Sequence, residues 1–171
     1  LGQVEIHNPP VAAFTNETPC LNAGIVFTDQ SISSDTLLYD FVWKVESLTG
    51  NEQTHHGSPA LIEFDQVINY NVSLIITDYF GCTDTVTSFI EVKPKPVCAF
   101  GYIENAGNIR GKLQFENQTT GASGYVWDFG NSITSTLPEP DVKYDKEGEY
   151  TIMLIATSMD GCTDTATKSY Y

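Results

Sequence analysis

One five-residue string occurs twice in this chain. Gly81-Cys82-Thr83-Asp84-Thr85 returns as Gly161-Cys162-Thr163-Asp164-Thr165, and the match extends upstream at the same spacing. Tyr70 to Ile75 aligns with Tyr150 to Ile155, and Phe64-Asp65 with Tyr144-Asp145. Farther upstream the offset drifts, as it does where loops differ in length. Val42-Trp43 matches Val126-Trp127, Phe27-Thr28-Asp29-Gln30-Ser31 matches Phe115-Glu116-Asn117-Gln118-Thr119, and Val11 to Phe14 matches Val97 to Phe100. An internal repeat constrains the fold more than any local propensity, because each copy must build the same supersecondary unit. Two homologous domains are therefore expected, at 10–93 and 94–171, with 1–9 as the tail of a preceding repeat. The basis for that tail is the likeness of Glu5-Ile6-His7-Asn8-Pro9-Pro10 to Glu91-Val92-Lys93-Pro94-Lys95-Pro96. The pair reads as part of a longer array.

Within each copy the apolar period is two. Tyr150, Ile152, Leu154 and Ala156 alternate with Thr151, Met153, Ile155 and Thr157, and Tyr70, Val72, Leu74 and Ile76 do the same in the first copy. Such alternation marks strands buried on one face, and the Val, Ile, Thr, Phe and Tyr content suits a pleated surface. Strands are expected at 11–15, 24–29, 38–46, 60–64, 69–78 and 84–92, then at 97–102, 112–117, 124–129, 140–144, 149–157 and 164–171. Six or seven short strands per copy predict an all-β fold of two tandem Ig-like sandwiches. Trp43 and Trp127 fall mid-strand in the third strand of each copy, the position of a core anchor. Asp145 to Tyr150 reads as a tyrosine corner, with the Tyr150 hydroxyl bonding backbone upstream. Gly148 is expected to supply a special backbone conformation there; Tyr70 keeps the corner in the first copy, where Ile68 replaces the glycine. The prolines of Lys93-Pro94-Lys95-Pro96 favour extended backbone and predict an end-to-end, elongated pair.

At these residues the chain resembles the PKD domain family, an Ig-like sandwich. The family signature, Trp-Asp-Phe-Gly-Asp-Gly followed by Tyr-x-x-x-Gly-x-Tyr-x-Val-x-Leu, corresponds to Trp127-Asp128-Phe129-Gly130-Asn131-Ser132 and to Tyr144 through Gly148 and Tyr150 to Leu154. The first copy has Trp43-Lys44-Val45-Glu46 and is divergent. The resemblance implies long arrays in secreted and surface proteins of gliding bacteria that export by the type IX route. It also implies occasional calcium binding, for which Asp128 and Asn131 are the candidate ligands, with Asp141 or Asp160 nearby. No other cofactor is expected.

Each copy holds two cysteines, spaced unlike any zinc pattern. Bridges Cys20–Cys82 and Cys98–Cys162 are expected, consistent with an oxidising, extracellular location; free or cross-paired thiols are the alternative. His55 and His56 fall in a polar insertion and read as a surface loop. The chain carries 8 Lys and Arg against 22 Asp and Glu, a net charge of −14, which repels nucleic-acid backbones and anionic lipid surfaces. No apolar run approaches the ~20 residues of a membrane-spanning helix. No nucleophile elbow, zinc-protease helix or phosphate loop is present. Asn16-Glu17-Thr18, Asn71-Val72-Ser73 and Asn117-Gln118-Thr119 match the N-glycosylation pattern, and Asp35-Thr36-Leu37, Asp84-Thr85-Val86 and Asp164-Thr165-Ala166 resemble a short bacterial O-glycosylation motif.

The expected function is non-catalytic: an extracellular stalk or spacer segment of a large bacterial surface or secreted protein, of the gliding-adhesin type. Its partners are then neighbouring repeats of the same chain, with surface proteins or polysaccharide outside it. The alternative is a polysaccharide- or protein-binding accessory to a secreted hydrolase, using Tyr102, Tyr125, Tyr170 and Tyr171 as an exposed aromatic row.

Overall fold

A strand with alternating apolar residues must bury one face, and both copies do so by packing one sheet against another. A computed structural model describes residues 7–34 and 37–171. The chain divides into two units, Leu1–Lys93 and Pro94–Tyr171. In the first, β1 (Phe14–Asn16), β2 (Gly24–Asp29) and β5 (Ala60–Glu63) form a three-stranded sheet in the order β1-β2-β5. It packs on a four-stranded sheet in the order β4-β3-β6-β7, made of β3 (Leu38–Ser47), β4 (Glu52–His56), β6 (Asn69–Asp78) and β7 (Thr83–Glu91). The second unit repeats the plan. Its three-stranded sheet is β8 (Phe100–Glu104), β9 (Lys112–Asn117) and β12 (Asp141–Lys143), ordered β12-β9-β8. Its four-stranded sheet is β11-β10-β13-β14, built from β10 (Gly124–Asp128), β11 (Thr134–Ser135), β13 (Tyr150–Thr157) and β14 (Thr163–Tyr170). All named pairings are antiparallel. The fold is an all-β pair of sandwiches, as the alternation predicts.

Trp43 and Trp127 are the centres of the two cores, each fully buried. Trp43 meets Phe14 and Phe27 edge-on at 5.2 and 5.7 Å between centroids. Trp127 meets Phe100 edge-on at 5.1 Å and lies 5.0 Å from Phe115. Each indole N–H donates to a loop carbonyl, Gly57 O in the first unit and Leu137 O in the second, both at 2.9 Å. A buried indole needs such a partner, and here it also ties a loop to the core.

Two strands depart from expectation. His55 and His56 lie in β4, which pairs with the free side of β3 in the register Trp43↔His55 and Val42↔His56, so this segment is a strand and not a loop. Its polar composition hides it, because an edge strand with a solvated face needs few apolar residues. The short β11 is paired with β10 and was invisible for the same reason. The segments at 11–13 and 97–99 are not strands; they join their units through isolated bridges, Val11↔Ile32 and Val97↔Thr120. Among the described residues no helix is long and apolar enough to cross a membrane.

Candidate functional site

The repeated Gly-Cys-Thr-Asp-Thr string closes the hairpins β6–β7 and β13–β14. Gly81 and Gly161 adopt φ of +82° and +86°, where a glycine has no steric penalty. The cysteine N–H that follows donates to Asp78 Oδ1 at 2.8 Å in one unit and to Ser158 Oγ at 3.2 Å in the other. The aspartates have a second task. Asp84 Oδ2 accepts the Ala12 N–H at 2.8 Å, and Asp164 Oδ2 accepts the Cys98 N–H at 2.9 Å. Each thereby pins the opening segment of its unit to the last strand. The other repeated string works alike. Ser31 N–H donates to Asp29 Oδ1 while Ser31 Oγ bonds Ala13, and Thr119 N–H donates to Asn117 Oδ1 while Thr119 Oγ1 bonds Ala99. The side chains of Asn117 and Thr119 are thus engaged in this turn. Asp35 and Thr36 lie outside the described residues.

The signature residues of the second unit are also closed on themselves. Asp128 Oδ1 accepts the Gly130 N–H at 2.9 Å, and Asn131 Oδ1 accepts the Ile133 N–H at 3.1 Å. Asp141 Oδ2 is paired with Lys112 Nζ at 2.5 Å, a contact that holds its carboxyl below the usual range. Among the described residues no three His, Cys, Asp or Glu side chains are grouped to hold a metal ion. Gly130 has φ +72°, and a Cβ there would lie 2.7 Å from Thr151 O. Gly148, by contrast, is outside the left-handed region, and a Cβ on it would meet only the Tyr150 ring, at 3.9 Å. The special glycine is therefore Gly130, and the expectation for Gly148 is corrected. The corner itself forms: Tyr150 Oη donates to Lys146 O at 3.0 Å. Tyr70 is buried, with a backbone hydrogen bond at Gln66; burial and then the Asp65 charge raise its phenol.

The expected bridges Cys20–Cys82 and Cys98–Cys162 are not formed. In the first unit Cys20 is disulfide-bonded and Cys82 is a free thiol; in the second Cys162 is disulfide-bonded and Cys98 is free. Cys20 pairs along the chain with Lys93, beyond the end of β7, whereas Cys82 immediately precedes that strand. Nine residues at ~3.3 Å each hold the two apart. Cys98 points its thiol at Leu154 O, 3.4 Å away in the middle of β13, while Cys162 sits in the turn beyond it. Burial is the main cause of the raised Cys98 thiol pKa.

The expected aromatic row does not exist as a row. Tyr102, Tyr125 and Tyr170 are half-buried against the core of the second unit, and only Tyr171 is fully exposed. Two of them instead join a feature that sequence reasoning missed, a groove of about 1360 Å³ at one end of that unit. The loop between β8 and β9 forms one wall. Asn105, Gly107, Asn108 and Gly111 there all have positive φ, and a Cβ on Gly111 would lie 2.5 Å from Tyr144 O. Tyr144 is the floor; its hydroxyl donates to Phe129 O at 2.8 Å, and burial pushes its phenol well above the ordinary range. Tyr150 and Tyr170 flank it, with ring centroids 4.3 and 5.3 Å away. The rim carries two exposed ion pairs, Arg110–Glu147 at 3.0 Å and Lys143–Asp145 at 2.5 Å. The sequence signal was the excess of Tyr in the second repeat, where the first has Phe64, Ile90 and Glu91 at the places of Tyr144, Tyr170 and Tyr171.

Known proteins resemble parts of this chain. A microbial collagenase of Vibrio alginolyticus is 48% identical over 44 residues, which is 26% of this chain and 5% of that protein. The chain is also 46% identical over 41 residues to the pre-pro-metalloprotease PrtV of Vibrio cholerae, covering 24% of this chain and 4% of PrtV. It thus spans about a twentieth of the length of these relatives. Among solved structures, the PKD1 domain of Vibrio anguillarum Epp is 29% identical, covering 44% of this chain and 90% of that domain, with a TM-score of 0.41. Residues 95–171, the second sandwich, match the PKD domain family.

Proposed function

We propose that the chain is a non-catalytic extracellular accessory module, two sandwich repeats that space and present other parts of a larger protein. The observation supporting this is the fate of the polar signature. Asp128, Asn131 and the corner tyrosine Tyr150 bond the backbone of their own turns, and Asp84 and Asp164 bond the opening segments of their units, so they hold the fold together and do not converge on a reacting atom. The match of the second unit to a domain that recurs in a collagenase and a metalloprotease supports the accessory role. On this reading the pair is a stalk segment of a large bacterial surface or secreted protein, of the adhesin type that serves gliding motility and leaves by the type IX route. Its immediate neighbours are further repeats. The likeness to parts of a collagenase and a metalloprotease favours a second reading, an accessory that also holds polysaccharide or a protein fibre for an attached hydrolase.

Deleting residues 1–171 from the full-length protein tests the accessory role. Attachment to cells or insoluble substrate should fall, while turnover of a small soluble substrate by any attached catalytic domain stays unchanged. Loss of that turnover would place these residues in an active site and overturn the reading.

A further inference from the structure

The repeated Gly-Cys turn has the same backbone in both units. Cys82 O accepts the Asp78 N–H at 2.9 Å, and Cys162 O accepts the Ser158 N–H at 2.8 Å. The glycine before each cysteine donates back to Asp78 O or Ser158 O, at 3.0 and 3.1 Å. The two thiols nevertheless differ in state: Cys162 is disulfide-bonded and Cys82 is free. This turn stands where the chain enters its unit. His7, on the entering segment, stacks on Phe80 with ring centroids 3.6 Å apart. The aspartate two residues past each cysteine holds the opening backbone, at Ala12 or Cys98. Cys20, which is also disulfide-bonded, stands where the chain leaves the first unit. Its neighbours bracket Lys93, the last residue of that unit: Lys93 N–H donates to Pro19 O at 2.8 Å, and Leu21 N–H donates to Lys93 O at 2.9 Å. One exit cysteine and one entry cysteine are thus oxidised, and Cys82 is an entry cysteine left over.

None of the other three cysteines is placed to serve it. Cys20 and Cys162 are already bonded, and Cys20 lies at the far end of β7. Cys98 turns its thiol to Leu154 O at 3.4 Å, inside the second sandwich.

We propose that Cys82 forms a disulfide with a cysteine at the exit of the preceding repeat, the place that Cys20 holds in the first unit. The proposal rests on the reading of the pair as part of an array, and it names a covalent contact within that array. In the step that forms the bond, both thiols lose their protons and a sulfur–sulfur bond closes between them. The two electrons reduce a disulfide oxidant outside the cytoplasm to a pair of thiols. Such a bond limits the swing between neighbouring repeats, which suits a spacer that must hold its length.

The test is peptide mapping of the full-length protein as its cells secrete it, with free thiols alkylated by N-ethylmaleimide before digestion without reductant. The Cys82 peptide should be joined to a cysteine peptide of the preceding repeat. Cys82→Ser in the full-length protein should abolish the joined peptide and open the partner cysteine to alkylation, while Trp43 emission stays that of a buried indole. Alkylated Cys82 in the secreted protein would overturn the proposal. So would a bond from Cys82 to Cys20, Cys98, Cys162 or a separate protein, or a partner cysteine that stays protected in the variant. None of these outcomes alters soluble turnover in the deletion experiment, so the two readings fail separately.

Discussion

After Trp43 the third strand of the first unit runs on to Ser47 and turns back as the five-residue β4. After Trp127 the third strand of the second unit stops at Asp128, and only the two-residue β11 returns. Three residues past each tryptophan the cause is visible. Glu46 is an ordinary strand residue paired with Asn71, whereas Gly130 turns away at φ +72° with its backbone against Thr151. Asp128 then caps that turn through the Gly130 N–H. One core anchor thus accommodates two different strand ends. The Asp-Phe-Gly stretch is a device for ending a strand, and a copy that lacks it lengthens the strand instead.

The largest effects should fall on what the units share. Trp127→Ala should destabilise the second unit by about 3–5 kcal/mol, and Trp43→Ala the first by a similar amount, the usual cost of deleting a buried large aromatic. Each unit holds one of the two tryptophans, so in urea unfolding the remaining indole marks the transition of the intact unit, and circular dichroism follows that of the unit that lost its ring. An unshifted midpoint in the unit that lost its tryptophan would show that its core is not built on that ring.

The next effect separates the units. Gly130→Ala combines a left-handed backbone with a carbonyl 2.7 Å from the new methyl; a cost of about 2–4 kcal/mol is expected. Glu46→Gly, the reciprocal change, should cost only about 1 kcal/mol through backbone entropy. Equal costs would mean that the two strand ends are built alike, against the geometry described above.

The pinning aspartates should behave as equals again. Asp84→Ala and Asp164→Ala each remove a hydrogen bond from a backbone N–H to a carboxylate, worth about 1–3 kcal/mol. Hydrogen exchange at Ala12 and Cys98 is the direct readout: each amide should lose protection in its own variant. Retained protection would show that the opening segments are held by the bridges at Val11 and Val97 alone.

These comparisons also mark what was legible in the sequence. Strands with an alternating face, such as β6 and β13, announced themselves because burial on one side forces the period. The tryptophans were legible because little else in a sandwich of this size needs so large a side chain mid-strand. β4 was not, since an edge strand with polar side chains carries no burial signal. The pinning role of Asp84 and Asp164 had a signal, their recurrence, but their partners at Ala12 and Cys98 lie 72 and 66 residues away and nothing local names them. Gly130 and Gly148 both stand in turns, and only three-dimensional proximity to Thr151 singles out Gly130. The cysteines misled for a related reason: two per unit invites pairing within the unit, yet Cys20 and Cys82 occupy opposite ends of β7.

The smallest effect concerns the floor of the groove, where the units differ by one oxygen. Tyr144 stands where the first unit has Phe64, and its hydroxyl bonds Phe129 O at 2.8 Å. Tyr144→Phe removes that donor from a buried carbonyl and should cost about 1 kcal/mol at neutral pH. Its alkaline behaviour should run the other way. Burial, and then the neighbouring Tyr150, Tyr170, Asp128 and Tyr102, raise the Tyr144 phenol above its ordinary value. The folded unit therefore keeps a proton that the unfolded chain releases near pH ~10. The stabilisation is complete below that pH and declines as pH rises toward the folded value. Phe64 cannot titrate, so among the described residues of the first unit the smaller influence of Tyr70, whose phenol is also raised, takes its place. Urea midpoints measured from neutral pH to above pH ~10 should fall faster for the second unit than for the first. The Tyr144→Phe variant should start lower and decline less. A variant that declines as steeply as the parent would assign the alkaline sensitivity to another group and remove Tyr144 from the account of how the two units differ.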